Sequence, residues 1–524
     1  TNIAAADISA ITDTVNSEVL TISGGLGTTS SANVAAYNLV NTSQGTLTLA
    51  NGPSGANQGL ASNYTLTGGT QDYTITQRVL NSSGSKTYDA NTDALAGAIT
   101  LSNLVSGEAL NHSGTATISS ANAGSYTITN LSGISIADGS GGTASNYTLT
   151  GGTHNFTVNR RAVSVSGTRL YDATTNAVAS DLSTHANLVG SETLNLSGTG
   201  TIASKNVGSN KTVSVGTLAL ADGSNGGLAA NYTLTGGTHQ LTVNKAPISL
   251  TGSRQYDGTQ DVRNSDFSLS GLQGGEDLTT SGLGSVVSKN IGNGKTVDTS
   301  GLTLENGQTG TAGLASNYTF SGGTQTFDIT ERVLNMSASR DYNTLKTVSS
   351  GIITLSNLVG SETLALSGNG SVSDENVGTN KTVGVDTLSL ADGANGGIAS
   401  NYTLAGGTHL LTVNKAVISI TGTRQYDGST NALPADLSLN NLQGGENLTL
   451  TDNGTISDKN VANGKTLDVS GLTLGNGSGG TPGLSSNYKL DGGTHTFNVT
   501  KKDITFSGSR VYDGTTTVSS SDLV

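Results

Sequence analysis

The sequence predicts an all-β protein, a tandem array of about six Ig-like β-sandwich modules of ~84 residues that form an elongated rod. Four observations predict it. The phrase TGTRQYDGST at 421–430 recurs as TGSRQYDGTQ at 251–260 and SGSRVYDGTT at 507–516, with looser copies at 84–93, 167–176 and 338–347. The tyrosines of these phrases, Tyr88, Tyr171, Tyr256, Tyr342, Tyr426 and Tyr512, are spaced by 83, 85, 86, 84 and 86 residues. A second set, each after an Asn, stands 24 residues earlier: Tyr64, Tyr147, Tyr232, Tyr318, Tyr402 and Tyr488. Apolar and polar residues alternate before each phrase, the pattern of a strand with one buried face.

The period sets the modules at 79–160, 161–245, 246–331, 332–415 and 416–501, with partial modules at 1–78 and 502–524. Each opens on a strand, with apolar residues eight and six positions before the tyrosine, as in Ile248/Leu250 and Ile418/Ile420. The Gly four before the tyrosine, Ala338 in one copy, predicts a bulge or bend. ETLNLSG (192–198) and KTVSVGTLALADG (211–223) add strands. NYTLTGGTHQLTVN (231–244) reads as strand, Gly-Gly hairpin, strand. No stretch carries a helical period with caps. The rival fold, a β-solenoid, would need a shorter period near 20 residues, which the copies do not share. TVNKAPISL (242–250) runs from one module into the next without a spacer, which predicts small contacts between modules and a rod on the order of 200 Å. NLVGSETL at 187–194 and 357–364, and GGE at 274–276 and 444–446, alternate between modules, so the duplicated unit is a pair. Both termini cut through a module, as expected of a segment from a longer array.

Composition bounds the function. Charged residues are 12%, against roughly 25% in an average globular protein. The apolar 33% and 73 glycines still allow cores of small residues. A net charge of −13 without a basic run argues against nucleic acid. No apolar run is long enough for a membrane helix. The absence of Cys excludes disulfides and thiolate metal sites.

Candidate chemistry recurs with the module. The tyrosines either stack on sugars or fill cores with their hydroxyls on backbone, and fixed register favours the core. A basic residue precedes each YDG-type tyrosine by two, and in every complete copy a Glu follows it by 20 or 21. Intramodule ion pairs are therefore expected at Arg169–Glu192, Arg254–Glu276, Arg340–Glu362 and Arg424–Glu446. The YDG carboxylates, Asp257 and Asp427 among them, are calcium candidates, as are Asp138, Asp222 and Asp392 of the ADG loops. One carboxylate per loop fits an Asx turn better. His154, His239, His409 and His495 each follow GGT and are replaced by Gln71 or Gln325 elsewhere, which suits a polar turn residue rather than a metal ligand. No nucleophile elbow, Walker loop or dinucleotide fingerprint occurs, so no catalytic residue and no cofactor is expected.

The YDG phrase, its alternating strand and the GGT segment together resemble the YDG and MBG repeats of large bacterial surface adhesins, the filamentous-haemagglutinin-like exoproteins. The resemblance covers the whole chain; RDYNT (340–344) departs from it with Asn343 in place of Asp. It implies an extracellular stalk segment at the bacterial surface or in the biofilm matrix, projecting an adhesive region for cell-cell or biofilm attachment. It also implies an outer-membrane transporter of a two-partner or similar secretion system. The alternative is a repetitive array gripping exopolysaccharide or a second adhesin chain.

Overall fold

The computed structural model describes residues 2–39 and 45–523. It is all-β, a tandem series of β-sandwich units, and its helical pieces among the described residues are three-residue 3-10 turns. The chain divides into two compact units, residues 1–246 with 273–275 and 316–318, and residues 247–272 with 276–315 and 319–524.

Module 416–501 shows the plan. Its strands are β1 (Ala416–Val417), β2 (Ser419–Gln425), β3 (Asn431–Ala432), β4 (Leu437–Asn440), β5 (Leu448–Thr451), β6 (Gly454–Ile456), β7 (Ala462–Asp468), β8 (Thr473–Asn476), β9 (Tyr488–Lys489) and β10 (His495–Thr500). Six form one sheet in the order β3-β6-β7-β10-β2-β4, and β5 pairs with β8. The strands of the module close on one another, which does not favour a solenoid. Module 246–331 repeats the same orders. In 79–160 the fifth and sixth strands fuse into Leu110–Ile118.

Between the two layers lie Ile420, Ala432, Ile456, Leu467, Leu472, Phe497 and Val499. Ile418 and Ile420, the residues that alternation assigned to the buried face, are fully buried, as are Ile248 and Leu250.

Two local expectations need correction. The Gly-Gly turn closes no hairpin. β9 pairs in parallel with β1, whereas β10 pairs in parallel with β2, so the two flanking strands enter different sheets. The pair of glycines is needed because Gly492 has φ +84° and a Cβ on Gly493 would lie 2.2 Å from the Ile418 carbonyl oxygen. Nor is the Gly inside β2 a bulge, since the register from Ile420↔His495 to Gln425↔Thr500 is unbroken. Gly422 faces Phe497, whose ring would lie 2.4 Å from a Cβ there. In 332–415 the pair is Ala338 and Leu411, so a smaller neighbour accompanies the added methyl.

Contacts between successive modules are larger than a spacer-free linker suggested. The apolar cluster of 332–415, with Tyr342, Val348, Val372, Val383, Leu411 and Val413, continues into Ala416, Ile418 and Tyr488 of the next module. The cluster of 246–331 likewise reaches Leu388, Tyr402 and Leu404 of 332–415.

Candidate functional site

The recurring side chains converge where one module meets the next. β2 ends just before the YDG-type tyrosine, whose ring packs on its own module's cluster while its hydroxyl reaches the next module. Tyr342 meets Tyr488 of the following module edge to face, with ring centroids 5.4 Å apart at 79°. Both hydroxyls donate to one carboxylate: Tyr342 to Glu446 Oε1 at 2.7 Å and Tyr488 to Oε2 at 2.5 Å. The Tyr488 oxygen also accepts from the Gln443 amide at 3.1 Å. The same latch forms at Tyr256–Glu362–Tyr402, with 2.7 and 2.6 Å bonds, and at Tyr88–Glu192–Tyr232, with 2.7 and 2.5 Å bonds. Tyr171 and Tyr318, both in the first unit, meet at 5.4 Å. Bonds from hydroxyl to carboxylate are charge-assisted and short, and burial strengthens them. Tyr256, Tyr402 and Glu362 are all buried, with Lys289 3.6 Å from the carboxylate.

These surroundings disfavour the phenolate. Burial first, then the hydrogen bond to Glu192, pushes the Tyr88 and Tyr232 hydroxyls up to about 12. Tyr402 is pushed up to about 12 in the same way by burial and Glu362. Tyr256, Tyr342 and Tyr488 are raised for the same reasons.

The expected Arg–Glu pairs do not form. Glu192, Glu362 and Glu446 take tyrosine hydroxyls instead. Arg169 pairs with Asp172 at 2.5 Å, Arg424 with Asp427 at 3.2 Å, and Arg254 with Asp257. The physical reason is reach: the Arg near the end of β2 lies three residues before the Asp of the turn and pairs with it, while the tyrosine hydroxyls occupy both oxygens of the Glu. Arg340, with Asn343 in the Asp position, donates to the Leu345 and Thr347 carbonyls. Arg424 also lies over the Phe497 ring, 5.4 Å from its centroid.

The calcium candidates are occupied as turn-makers. Asp427 Oδ1 accepts the Ser429 amide at 2.9 Å, and Asp257 accepts the Thr259 amide at 2.9 Å and Arg263 at 2.8 Å. Asp257 is held down at about 2; burial opposes this, and Arg263 and Thr259 outweigh it. Asp138, Asp222 and Asp392 cap the 3-10 turn before the Asn-Tyr pair, accepting from Ala144, Ala229 and Ala399 at 2.7–2.8 Å. Among the described residues, no three carboxylate or imidazole groups gather as a metal site would require.

His239, His409 and His495 reach back to the Leu234, Leu404 and Leu490 carbonyls at 2.7–2.8 Å. Gln325 makes the equivalent bond to Phe320, which is why Gln replaces His.

The sequence reading missed the Asn of each Asn-Tyr pair. Asn487 accepts the Val377 amide at 3.0 Å and donates to Asn376 at 2.9 Å, both in the preceding module. Asn401 does so with Ile291 and Asn290, and Asn231 with Ala123 and Asn122. The signal was present: Asn33, Asn122, Asn206, Asn290, Asn376 and Asn460 recur once per period.

The description of the YDG domain family matches residues 70–155, 153–240, 237–326, 330–409 and 411–496. No curated protein matches the chain.

Proposed function

The chain belongs to the YDG domain family, and from that premise we propose that it is a structural stalk segment of a large secreted bacterial adhesin, projecting an adhesive region for cell-cell or biofilm attachment. Such a chain acts outside the cell, reaches the surface through an outer-membrane transporter, and performs no catalysis. The observation that supports this is where the repeated residues go. Tyr88, Tyr232, Tyr256, Tyr402 and Tyr488 are buried with their hydroxyls bound. A sugar-gripping array would instead repeat exposed aromatic or charged side chains, and the recurring Arg and Asn are likewise spent on turns and junctions.

The test is a binding series with the purified chain against bacterial exopolysaccharide and against itself. A stalk gives no saturable binding and no concentration-dependent association. Binding that grows with module number would install the alternative, an array acting by avidity. Calcium is not needed on this reading, because Asp257 and Asp427 already close turns. Chelation should leave the melting temperature unchanged; a clear rise on adding calcium would make those carboxylates ligands.

A further inference from the structure

We infer that β2 and β10 of each complete module form a shear clamp, so that tension along the chain loads a whole ladder of hydrogen bonds at once. The inference rests on the stalk reading for its purpose and on the strand pairing for its physics.

Load reaches module 416–501 from Asn414, the last residue of the preceding module's final strand, and passes within a few residues into β2. It leaves from Thr500, the last residue of β10. β2 and β10 are neighbours and parallel over six register pairs. The start of β2 therefore lies beside the start of β10, and the two pulled points lie at opposite ends of the pair. Tension runs along the strands and strains the evenly spaced bonds of a parallel ladder together. Pulling two strands apart from the same end would open the bonds one by one.

Neither strand sits at an edge, since β4 flanks β2 and β7 flanks β10. Further bonds reinforce the ladder: the Tyr426 amide to the Thr500 carbonyl at 2.9 Å, and the Ile420 amide to His495 Nδ1 at 3.1 Å. The Phe497 ring rests in the space left by Gly422, so sliding β10 along β2 must lift an aromatic side chain out of a notch. The same parallel pairing joins 81–87 to 154–159, 164–170 to 239–244, 249–255 to 325–330 and 335–341 to 409–414.

The chain has no Cys, so two introduced cysteines define the points of pulling in the full chain. Lys415→Cys with Lys501→Cys loads β2 and β10 in shear. Lys415→Cys with Asp491→Cys pulls on the starts of β2 and β10 and peels them apart, with only the two-pair β1–β9 ladder in shear. In single-molecule force spectroscopy the shear pair should rupture at a force at least about twice that of the peel pair, at equal loading rate and equal denaturant midpoint, because forced unfolding follows the barrier rather than the stability. Equal rupture forces would overturn the clamp. If these cysteines unfold module 416–501, Glu331→Cys with Lys415→Cys and Glu331→Cys with Ala405→Cys make the same comparison in 332–415. Equal forces with no ligand binding would leave a stalk without a clamp. Unequal forces in a chain that grips polysaccharide would leave a clamp in a binding array.

Discussion

At the scale of the residue, the phrase TGTRQYDGST resolves into separate physical tasks. Gly422 makes room for Phe497, Arg424 and Asp427 hold the turn, and the tyrosine at the equivalent place one period earlier, Tyr342, latches onto the next module. Gly422→Ala should therefore destabilise its module by about 1–3 kcal/mol, as overpacking does, read as a fall in denaturant midpoint. Leu411→Phe should cost a similar amount, because Ala338 stands opposite. After the Asp or Asn, the chain takes a positive φ: +84° at Gly428, +63° at Ala90 and +63° at Thr344. A side chain there costs roughly 1–2 kcal/mol, so Ala90→Gly should raise the melting temperature. Titration belongs here too. Tyr88, Tyr232 and Tyr402 hold their protons up to about 12, above the 10.0 of a free tyrosine. Above pH 10 the unfolded chain has released protons that the folded chain keeps. Their stabilisation is complete below pH 10 and is lost as pH rises to about 12. Loss of β-sheet circular dichroism should coincide with ionisation of the latch tyrosines, followed residue by residue by NMR; their ionisation in a still-folded chain would contradict the latch.

At the scale of the element, the latch and the strands differ in how far sequence reveals them. Strand existence was legible because alternation is local, and Ile418 and Ile420 are buried as it predicts. Pairing was not legible. The partner of β2 is β10, some seventy residues away, and nothing in Thr-Val-Asn or Gly-Gly-Thr states a parallel register. Residues 502–523 make the point directly. They repeat the phrase and its alternation, yet form no strand, and Ile504 is 84% exposed. Alternation alone does not make a strand; a strand is stable only within a ladder of several. The Arg–Glu pairs failed for a related reason: fixed spacing shows that two residues recur in one module, not that they touch, and here the Arg turns to its own Asp while the Glu accepts from tyrosines. The latch itself yields a prediction. Glu446→Ala leaves the hydroxyls of Tyr342 and Tyr488 without their acceptor, and should cost about 2–5 kcal/mol in thermal or chemical melts. Glu446→Gln, which retains an acceptor, should cost less. Equal losses from both would assign the effect to charge rather than to the hydrogen bonds.

At the scale of the whole molecule, the question is whether modules are independent folding units. Their sequence boundaries suggest that they are, because each carries its own strands and the linkers hold no spacer. The packing within the second unit says otherwise. Tyr402 and Leu404 complete the cluster of the preceding module, and Tyr488 and Ala416 complete the one before theirs. A core that borrows its last side chains from the neighbour loses them when the neighbour unfolds. Stability then divides into an intrinsic part per module and an interface part per junction, the behaviour of a nearest-neighbour array. The interface part is sizeable, since the junction of 332–415 with 416–501 holds two aromatic rings, two charge-assisted bonds and the paired Asn contacts. Scanning calorimetry of the full chain should accordingly show fewer transitions than the five complete modules. Glu446→Ala combined with Asn487→Ala should split off a separate, lower transition for 416–501. In the parent chain, one resolved transition for each module would mean that the junctions carry little energy. The recurring Asn, Glu and Tyr would then serve orientation alone.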